Sequence, residues 1–512
     1  MAQSRTAKTL LNTASGILNR VCNTVLSFVL RTVFIYTLGI QYTGVSSVFN
    51  DILTMLSLSE LGIGTAIATA LYKPLHDKDD IKIRKLMSFY RNAYRYIALF
   101  IVIIGIILLP FLKFLITGVP DIKENIQLIF IFYIIKTAAS YLLIYKSTIL
   151  NADQKQYVVK GLESICTIVR YFVEIVSLII FKNFMIYLVI EVFATVIQNI
   201  VINNRAAKEY PEAFKITNEK LNNEERKNLL RDIKGLSMYR ISGTIGNSID
   251  NILISSFLGA TLVGILSNYT MIRKQIETLV LQFFYAITPS IGSLAAEGNV
   301  EKQLTVFNRT FYISFIITNF CSIALFVLFT PFINLWIGSQ YLMSKKIAFV
   351  IAFDSFLYIL LQAIASFRTA NGLFVKGQYR PLITAAVNIV LSVLLINKFG
   401  IFGTIVATII ARISTQWYDA YILYKDVFKK KFWKFYLKYW AYIFIYIIGC
   451  FTTLYVASIW QTSSKIFNLI FNIGACMIVP NFIAILFTFK TDEFKYLVDI
   501  VKRKILKKRK VV

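Results

Sequence analysis

Residues Ile101–Leu109 read IVIIGIILL and contain no polar side chain. A strand that spans a membrane alternates apolar and polar residues over about ten positions, so this continuous run predicts a helix instead. A transmembrane helix needs about 20 mostly apolar residues, and the window 92–116 around the run meets that requirement. The sequence therefore predicts that this segment crosses a lipid bilayer.

The same pattern recurs along the whole chain of 512 residues. Hydrophobic residues make up 57% of it and charged residues only 16%, whereas roughly a quarter of a soluble domain is charged. The expected fold class is an all-α integral membrane protein. Apolar windows predict about fourteen transmembrane helices, near 14–39, 45–72, 92–116, 125–149, 158–181, 184–205, 235–258, 262–290, 307–336, 347–368, 380–397, 401–424, 436–459 and 466–489.

Metal and cofactor chemistry has few donors to use in this sequence. The chain has a single His, His76, and its five Cys residues all fall inside apolar runs. A zinc or haem site needs a local cluster of such donors, so we expect no metal and no cofactor. The sequence also lacks a G-x-x-x-x-G-K-[ST] phosphate-binding loop, which argues against a P-loop ATPase.

Lys and Arg collect in alternate connections between the predicted helices. Residues 73–95, 205–234 and 425–438 and the C-terminal tail hold most of them, and the intervening connections are short and poor in charge. Because positive charge favours the cytoplasmic side of a membrane, both termini are expected in the cytoplasm. The basic tail is better explained by anionic lipid than by nucleic acid.

An internal repeat divides the chain. The predicted first helix ends in Leu38-Gly39-x4-Gly44, and the seventh ends in Leu258-Gly259-x4-Gly264, 220 positions later. The same offset places Arg20 on Arg240. These matches predict two six-helix lobes in parallel orientation, an architecture in which transporters bind substrate between the halves. The expected domains are an N-lobe 1–205, a cytoplasmic linker loop 206–234, a C-lobe 235–425, two extra helices within 426–489 and a basic cytoplasmic tail 490–512.

Polar side chains form a stripe along the predicted first helix. Arg20, Asn23, Thr24, Ser27 and Arg31 fall at i, i+3, i+4, i+7 and i+11, which keeps them on one face over about three turns. Charges at bilayer depth cost about 2.5–3.5 kcal/mol each, so they usually face a cavity. The stripe therefore predicts one wall of a polar chamber.

The seventh and eighth predicted helices extend this pattern. Arg240 and Asn247 lie on the seventh, and Arg273 lies on the eighth. Because guanidinium groups bind phosphate bidentately, a chamber lined by arginine predicts an anionic cargo such as a pyrophosphate. The predicted substrate-binding residues are Arg20, Asn23, Ser27, Arg31, Arg240, Asn247 and Arg273, and the candidates for coupling or gating are Glu60, Asp250 and Asp354.

Structural roles compete with these functional ones. Arg368 and Arg412 lie near predicted helix ends, where long side chains reach the headgroups, and Lys136 fits an interfacial position for a similar reason. Glu174 is one turn from Arg170 and fits a simple ion pair. Glu60, which precedes Leu61-Gly62, fits a packing or hinge element equally well.

Three stretches resemble those of a known family: Asn19-Arg20 through Arg31 to Gly44, the second-helix segment LSLSELGIGTA at 56–66, and the turn Ala370-Asn371-Gly372. With them and its duplicated halves, the chain resembles the polysaccharide-export (Wzx-type) flippases of the multidrug/oligosaccharidyl-lipid/polysaccharide (MOP) exporter superfamily. The resemblance covers nearly the whole length. It implies a MATE-like pair of lobes with two extra C-terminal helices.

The resemblance also implies a function. The protein would be a transporter, not an enzyme, that flips undecaprenyl-pyrophosphate-linked oligosaccharide across the bacterial plasma membrane for surface polysaccharide assembly. Alternating access around a cationic cavity would be its mechanism. Its implied partners are the lipid-linked oligosaccharide, membrane lipids and polysaccharide polymerase machinery, with no nucleic acid. Arg20, Arg31 and Arg273 match, by helix and depth, the cavity arginines of the lipid II flippase branch.

Two other functions fit parts of the pattern. A MATE-type drug or cation antiporter would need acidic residues to dominate the cavity, and here basic residues outnumber them. A membrane-bound polysaccharide polymerase or glycosyltransferase would need a sizeable extracytoplasmic loop, and the outward connections are about ten residues or shorter.

Overall fold

Helices account for nearly all of the structure. The computed structural model describes residues 5–60, 62–118, 122–215, 221–373, 376–460 and 462–509, and no strand occurs in these ranges. Within them, the side chains of 5–21, 58–59, 232, 234–247, 500–501 and 503–509 are outside the description. The expected all-α membrane fold is confirmed.

The chain divides into two compact units, Met1–Gly264 and Ile265–Val512. The first contains α1 Arg5–Leu38, α2 Ile40–Leu56, α3 Ile63–Asp77, α4 Asp80–Leu108, α5 Leu112–Leu115, α6 Ile126–Ile144, α7 Ser147–Ala152, α8 Gln156–Phe181, α9 Phe184–Glu209 and α10 Asn223–Leu258. The remaining helices are α11 Ala260–Ala296, α12 Val300–Trp336, α13 Lys345–Leu360, α14 Gln362–Ala370, α15 Arg380–Ile422, α16 Trp433–Ile459, α17 Lys465–Thr488 and α18 Asp492–Arg509.

Ten helical segments of the described chain are long and apolar enough to cross a membrane. One of them, Arg380–Phe428, covers the eleventh and twelfth predicted helices, which are separated by a kink at Gly400. Two shorter apolar helices, Cys22–Leu38 and Ser248–Leu258, match the first and seventh. Together with α2 and α3, these segments place a helix at each of the fourteen predicted positions.

The second predicted helix is interrupted. A continuous helix was expected over 45–72, but α2 ends at Leu56, a 3-10 turn follows over Ser57–Glu60, and α3 begins at Ile63. Gly62 adopts φ 103°, in the left-handed region that glycine occupies without steric cost. The predicted second helix is therefore two helices, and Glu60 lies at the break between them, a position that agrees with the alternative of a hinge element.

The repeated glycine motif has a direct structural role in the first unit. Gly39 and Gly259 both take positive φ, at 101° and 93°, where α1 and α10 end. A methyl group on Gly44 would lie 1.9 Å from the Ala260 carbonyl oxygen, and one on Gly264 would lie 2.4 Å from the Ile40 carbonyl oxygen. The starts of α2 and α11 thus approach each other reciprocally, backbone against backbone, which only small residues permit.

The chain that follows α9 is tied to the start of α4. A 3-10 turn, Pro211–Phe214, precedes α10. Arg84 Nη2 lies 3.4 Å from Glu212 Oε2, and Lys82 Nζ lies 2.9 Å from Glu225 Oε1. The hydrogen bond from Lys82 lowers the pKa of the Glu225 carboxyl. Part of the predicted linker 206–234 is therefore held against the start of α4 by ion pairs.

Aromatic packing attaches the last two long helices to α12 in the second unit. The Phe315 and Tyr442 rings stack with centroids 4.1 Å apart, and the Tyr312 and Thr488 hydroxyls are 2.8 Å apart. Asn319 donates to the Pro480 carbonyl oxygen at 3.3 Å. α16 and α17 are thus integral to the second unit.

We predict that Gly44→Ala destabilises the protein by about 1–3 kcal/mol or more, because an added methyl would overlap backbone atoms that no rotamer change can move away. The matched control is Gly161→Ala in α8, where an added Cβ has no neighbour within 4 Å. Thermal unfolding midpoints of the purified variants in detergent measure the effect. Equal midpoints for the two variants would contradict the close helix approach.

Candidate functional site

The stripe on α1 is only partly available to a ligand. Ser27 Oγ donates to the Thr24 carbonyl oxygen of its own helix at 2.8 Å, and Asn23 also has a polar partner. Arg20, Arg240 and Asn247 lie on α1 and α10, but their side chains fall outside the described residues. Arg31 is therefore the basic member of the stripe whose surroundings are defined.

Arg31 is half-buried and has phenolic neighbours. The groups that interact with it electrostatically are the hydroxyls of Tyr187 and Tyr133, from α9 and α6. Among the side chains that the structure describes, no carboxylate forms an ion pair with Arg31. A cation in this setting favours an anionic ligand, because unneutralised charge in a membrane helix is costly.

Charge pairs join the other helices of the first unit. Lys136 on α6 binds Glu191 on α9, with Nζ and Oε1 3.0 Å apart, and its interfacial position stays a prediction. On α8, Arg170 Nε lies 3.6 Å from Glu174 Oε1, which confirms the predicted i, i+4 pair. The Glu174 carboxylate is buried, and neither of its oxygens accepts a hydrogen bond from a described residue.

Three of these charged groups, those of Lys136, Arg170 and Glu191, border a cavity of about 310 Å³. It lies among α6, α8 and α9 and the break that precedes α3, within the first unit. Its lining residues are mainly charged or hydroxyl-bearing, and they are Glu60, Lys136, Thr137, Ser140, Tyr141, Ile144, Arg170, Glu191 and Thr195. The sequence stripes did not indicate this cavity, because its lining comes from helices that are distant in the sequence.

Glu60 is held by tyrosine hydroxyls. Tyr94 donates to Glu60 Oε1 at 2.5 Å, and Tyr141 lies 3.5 Å from Oε2. Tyr90 donates to the Tyr94 oxygen at 2.9 Å, and Thr148 donates to the Tyr90 oxygen at 3.1 Å. A row of hydroxyls therefore leads from Thr148 to the carboxylate, and hydrogen bonds to that carboxylate stabilise its charged form.

The second unit brings together two residues that were predicted for different roles. Asp354 on α13 accepts from Arg273 Nη1 and from Arg412 Nε, each at 2.9 Å. Glu277 lies 3.4 Å from Arg273 Nε. The formal charges of these four side chains cancel, so Arg273 already has internal counter-ions. Glu277 was missed, although its i+4 spacing from Arg273 is a signal that the sequence carries.

A second arginine–aspartate cluster lies elsewhere in that unit. Arg368 binds Asp419, and Arg380 Nε lies 3.0 Å from the same carboxylate. Arg368 also donates to the carbonyl oxygen of Leu373, beyond the turn after α14, at 3.1 Å. Arg368 is buried, so the interpretation that its side chain reaches the headgroups is wrong. The same interpretation of Arg412 is wrong as well, because its guanidinium binds the buried Asp354.

Asp250, the remaining coupling candidate, lies on α10 in the first unit. The next residue, Asn251, donates to Asp51 Oδ2 on α2 at 2.7 Å, a polar contact between helices of the kind common inside membranes. Within the described residues, no group of three or more His, Cys, Asp and Glu is placed to hold a metal ion.

We predict that Asp354→Asn destabilises the protein by about 3–5 kcal/mol, because it leaves two largely buried arginines without their shared counter-ion. Asp426→Asn is the control, since its partner Lys376 is 58% exposed and such pairs contribute about 0–1 kcal/mol. Thermal unfolding in detergent measures both. Adding Arg412→Gln to Asp354→Asn should restore part of the loss, and similar losses for the two single variants would contradict the assignment.

Ten described segments that are long and apolar enough to cross a membrane indicate a multi-pass membrane protein, and solved transporters share its fold. A lipid II flippase MurJ in an inward closed conformation matches with a TM-score of 0.69 and 15% identity, over 93% of this chain and 98% of that one. A Vibrio cholerae MATE transporter, VcmN, matches at 0.56 and 13%, over 83% and 100%. An inward-facing multidrug resistance MATE family transporter of the MOP superfamily matches at 0.54 and 16%, over 77% and 93%.

The particular family follows from the sequence match. Residues 9–295, more than half of the chain, match the polysaccharide biosynthesis protein family, and the chain belongs to that family. No curated protein matches the sequence.

Proposed function

We propose that this protein flips a polyprenyl-pyrophosphate-linked oligosaccharide from the cytoplasmic to the outer leaflet of a bacterial plasma membrane, for surface polysaccharide assembly. Membership of the polysaccharide biosynthesis family and a fold shared with a lipid II flippase support this proposal. A sugar pyrophosphate cannot cross hydrocarbon unaided, because its polar groups would lose their hydrogen bonds. The protein supplies a polar route, and the lipid tail stays in the bilayer.

Arg31 is the single observation that carries this proposal. It sits in an apolar helix without a described carboxylate partner, between tyrosine hydroxyls of α6 and α9. A pyrophosphate oxygen pair matches the guanidinium fork and neutralises its charge. Arg20, Arg240, Asn23, Ser27 and Asn247 complete the proposed cationic wall.

Arg273 has a different part in the proposal, because Asp354 and Glu277 already neutralise it. An arriving pyrophosphate competes with Asp354 for this arginine, and departure of the pyrophosphate restores the ion pair. Such an exchange keeps the affinity for the pyrophosphate modest. The pyrophosphate can then leave when the lobes 1–205 and 235–425 switch from inward to outward access. Glu60 and Asp250 are the further candidates for coupling this change to an ion.

The charge distribution sets the proposed orientation. Both termini and the basic segments 73–95, 206–234 and 425–438 lie in the cytoplasm, next to anionic lipid. The protein acts as a transporter rather than an enzyme, and a polysaccharide polymerase that consumes the flipped units is its expected partner. Nucleic acid has no part in this function.

A MATE-type antiporter of cationic drugs is the second candidate. The buried Glu174 carboxylate, which accepts no hydrogen bond from the described residues, favours it. Cation binding would require Glu174 or Glu191 to leave its basic partner, at the cost of exposing that partner's charge to lipid.

We predict that Arg31→Gln lowers flipping about 10- to 100-fold, because a hydrogen-bonded contact to a charged group contributes about 1.5–3 kcal/mol. Arg31→Lys should retain part of the activity, since it keeps the charge and loses the fork. The control is Arg205→Gln, whose side chain is half exposed beside Glu209.

Each variant is expressed in a strain that lacks the wild-type gene. The amount of lipid-linked repeat unit that accumulates in the cells measures the loss of flipping. Accumulation with Arg31→Gln but not with Arg205→Gln is the expected result. Normal surface glycan with Arg31→Gln would refute the cationic-site proposal. Unchanged lipid-linked pools together with altered drug tolerance in the deletion strain would indicate the antiporter.

A further inference from the structure

We propose that the cavity of the first unit, bordered by Lys136, Arg170 and Glu191, binds the sugar hydroxyls of the cargo next to its pyrophosphate. This inference rests on the proposed flipping function and adds to it a glycan subsite separate from Arg31. The subsite takes neutral polyhydroxyl groups, so it would give the transporter a preference for one glycan over another.

The size and setting of the cavity point to a polar occupant. Its volume of about 310 Å³ is at the lower end of the roughly 300–1,000 Å³ of ligand pockets. It lies among helices that are apolar enough to cross a membrane. Polar groups at that depth need hydrogen-bond partners, which lipid cannot provide. Water or a hydroxyl-rich ligand can satisfy these groups, and a ligand displaces water without penalty only if it replaces those hydrogen bonds.

The charge of the lining excludes a second pyrophosphate position. Lys136 is neutralised by Glu191 at 3.0 Å, and Arg170 faces Glu174 at 3.6 Å. Glu60 adds a carboxylate to the same wall. These five groups carry no excess of positive charge, in contrast to Arg31. A neutral ligand with many hydrogen-bonding groups fits such a wall better than an anion does.

The lining groups have hydrogen-bonding capacity that their known contacts do not use. The Lys136 ammonium has three donors, and one of them serves Glu191 Oε1. The other Glu191 oxygen accepts nothing from a described side chain. Thr137 and Thr195 donate to carbonyl oxygens of their own helices, at 2.9 and 2.8 Å, which leaves their oxygens free to accept. Sugar hydroxyls both donate and accept, so they match this mixture.

The position of the cavity relative to Arg31 fits a sugar attached to a pyrophosphate. Lys136 Nζ lies 4.6 Å from the centroid of the Tyr133 ring, and the hydroxyl of the same Tyr133 is an electrostatic neighbour of Arg31. Tyr133 is therefore a neighbour both of Lys136 in the cavity lining and of Arg31, which has no carboxylate partner among the described residues. A headgroup with its pyrophosphate at Arg31 would place its first sugar beyond Tyr133.

The test compares two probes on the purified full-length protein in nanodiscs. One probe is bare undecaprenyl pyrophosphate, and the other is the lipid-linked repeat unit isolated from cells that lack this transporter. We expect wild-type protein to bind the repeat unit about 10-fold more tightly than bare undecaprenyl pyrophosphate. This factor corresponds to one hydrogen bond to a charged group. Equal affinity of the wild-type protein for both probes would overturn the subsite.

Lys136→Gln combined with Glu191→Gln removes both charges together, so no unpaired charge is left in the cavity. We expect this double variant to lose the roughly 10-fold preference for the repeat unit and to bind bare undecaprenyl pyrophosphate as wild type does. The matched control is Lys438→Gln with Glu493→Gln, a lysine–glutamate pair 2.7 Å apart in the second unit, which should keep the preference.

Thr195→Val provides a second test with a side chain of similar shape, because it removes an acceptor oxygen from the lining together with the hydroxyl's bond to the Glu191 carbonyl oxygen. It should lower binding of the repeat unit alone, by about 3-fold or more. Equal weakening of both probes by the double variant, or no weakening of either, would overturn the subsite. Arg31→Gln should weaken both probes, and its failure to do so would refute the proposed function without bearing on the glycan preference.

Discussion

Every charge that this protein places among its membrane helices must be neutralised by something. An isolated ion in hydrocarbon is far less stable than in water, and a carboxylate, a cation or a polar ligand has to replace the lost hydration. The structure meets this requirement chiefly with ion pairs between helices. Lys136 with Glu191 joins α6 to α9, and Asp354 joins α13 to α11 and α15. These pairs connect helices within each of the two units.

The same requirement distinguishes the arginines from one another. Arg273 and Arg412 share Asp354, and Arg368 and Arg380 share Asp419. Arg31 instead has tyrosine hydroxyls beside it. Breaking a buried pair costs more than forming it contributes, because the remaining partner keeps its desolvation penalty. Under the proposed function, a paired arginine would take part in transport only by exchanging one anion for another, whereas Arg31 would bind cargo without such an exchange.

Much of the fold could be predicted from the sequence, because lipid imposes a simple rule on helix length and composition. The offset of 220 positions also indicated glycines that later proved to lie at close backbone contacts. The break at Gly62 was predicted only as one alternative, a hinge element beside Glu60, since hydropathy does not report the sign of φ. The partners of Arg368 and Arg412 were missed, because Asp419 and Asp354 lie 51 and 58 positions away. Long-range pairs leave no periodic signal, whereas the i, i+4 neighbours Glu174 and Glu277 do.

The cargo of a flippase is itself divided into an anionic part, a neutral polar part and an apolar tail, and no single environment suits all three. A chamber that was cationic throughout would bind pyrophosphate so tightly that release would become slow. In the first unit, one cation without a described counter-ion stands beside a cavity whose charges are internally paired. Under the proposed function, such a division would hold the headgroup by several modest contacts of different kinds. It would also separate affinity, which depends on a pyrophosphate common to many lipid-linked sugars, from specificity, which must depend on the sugar.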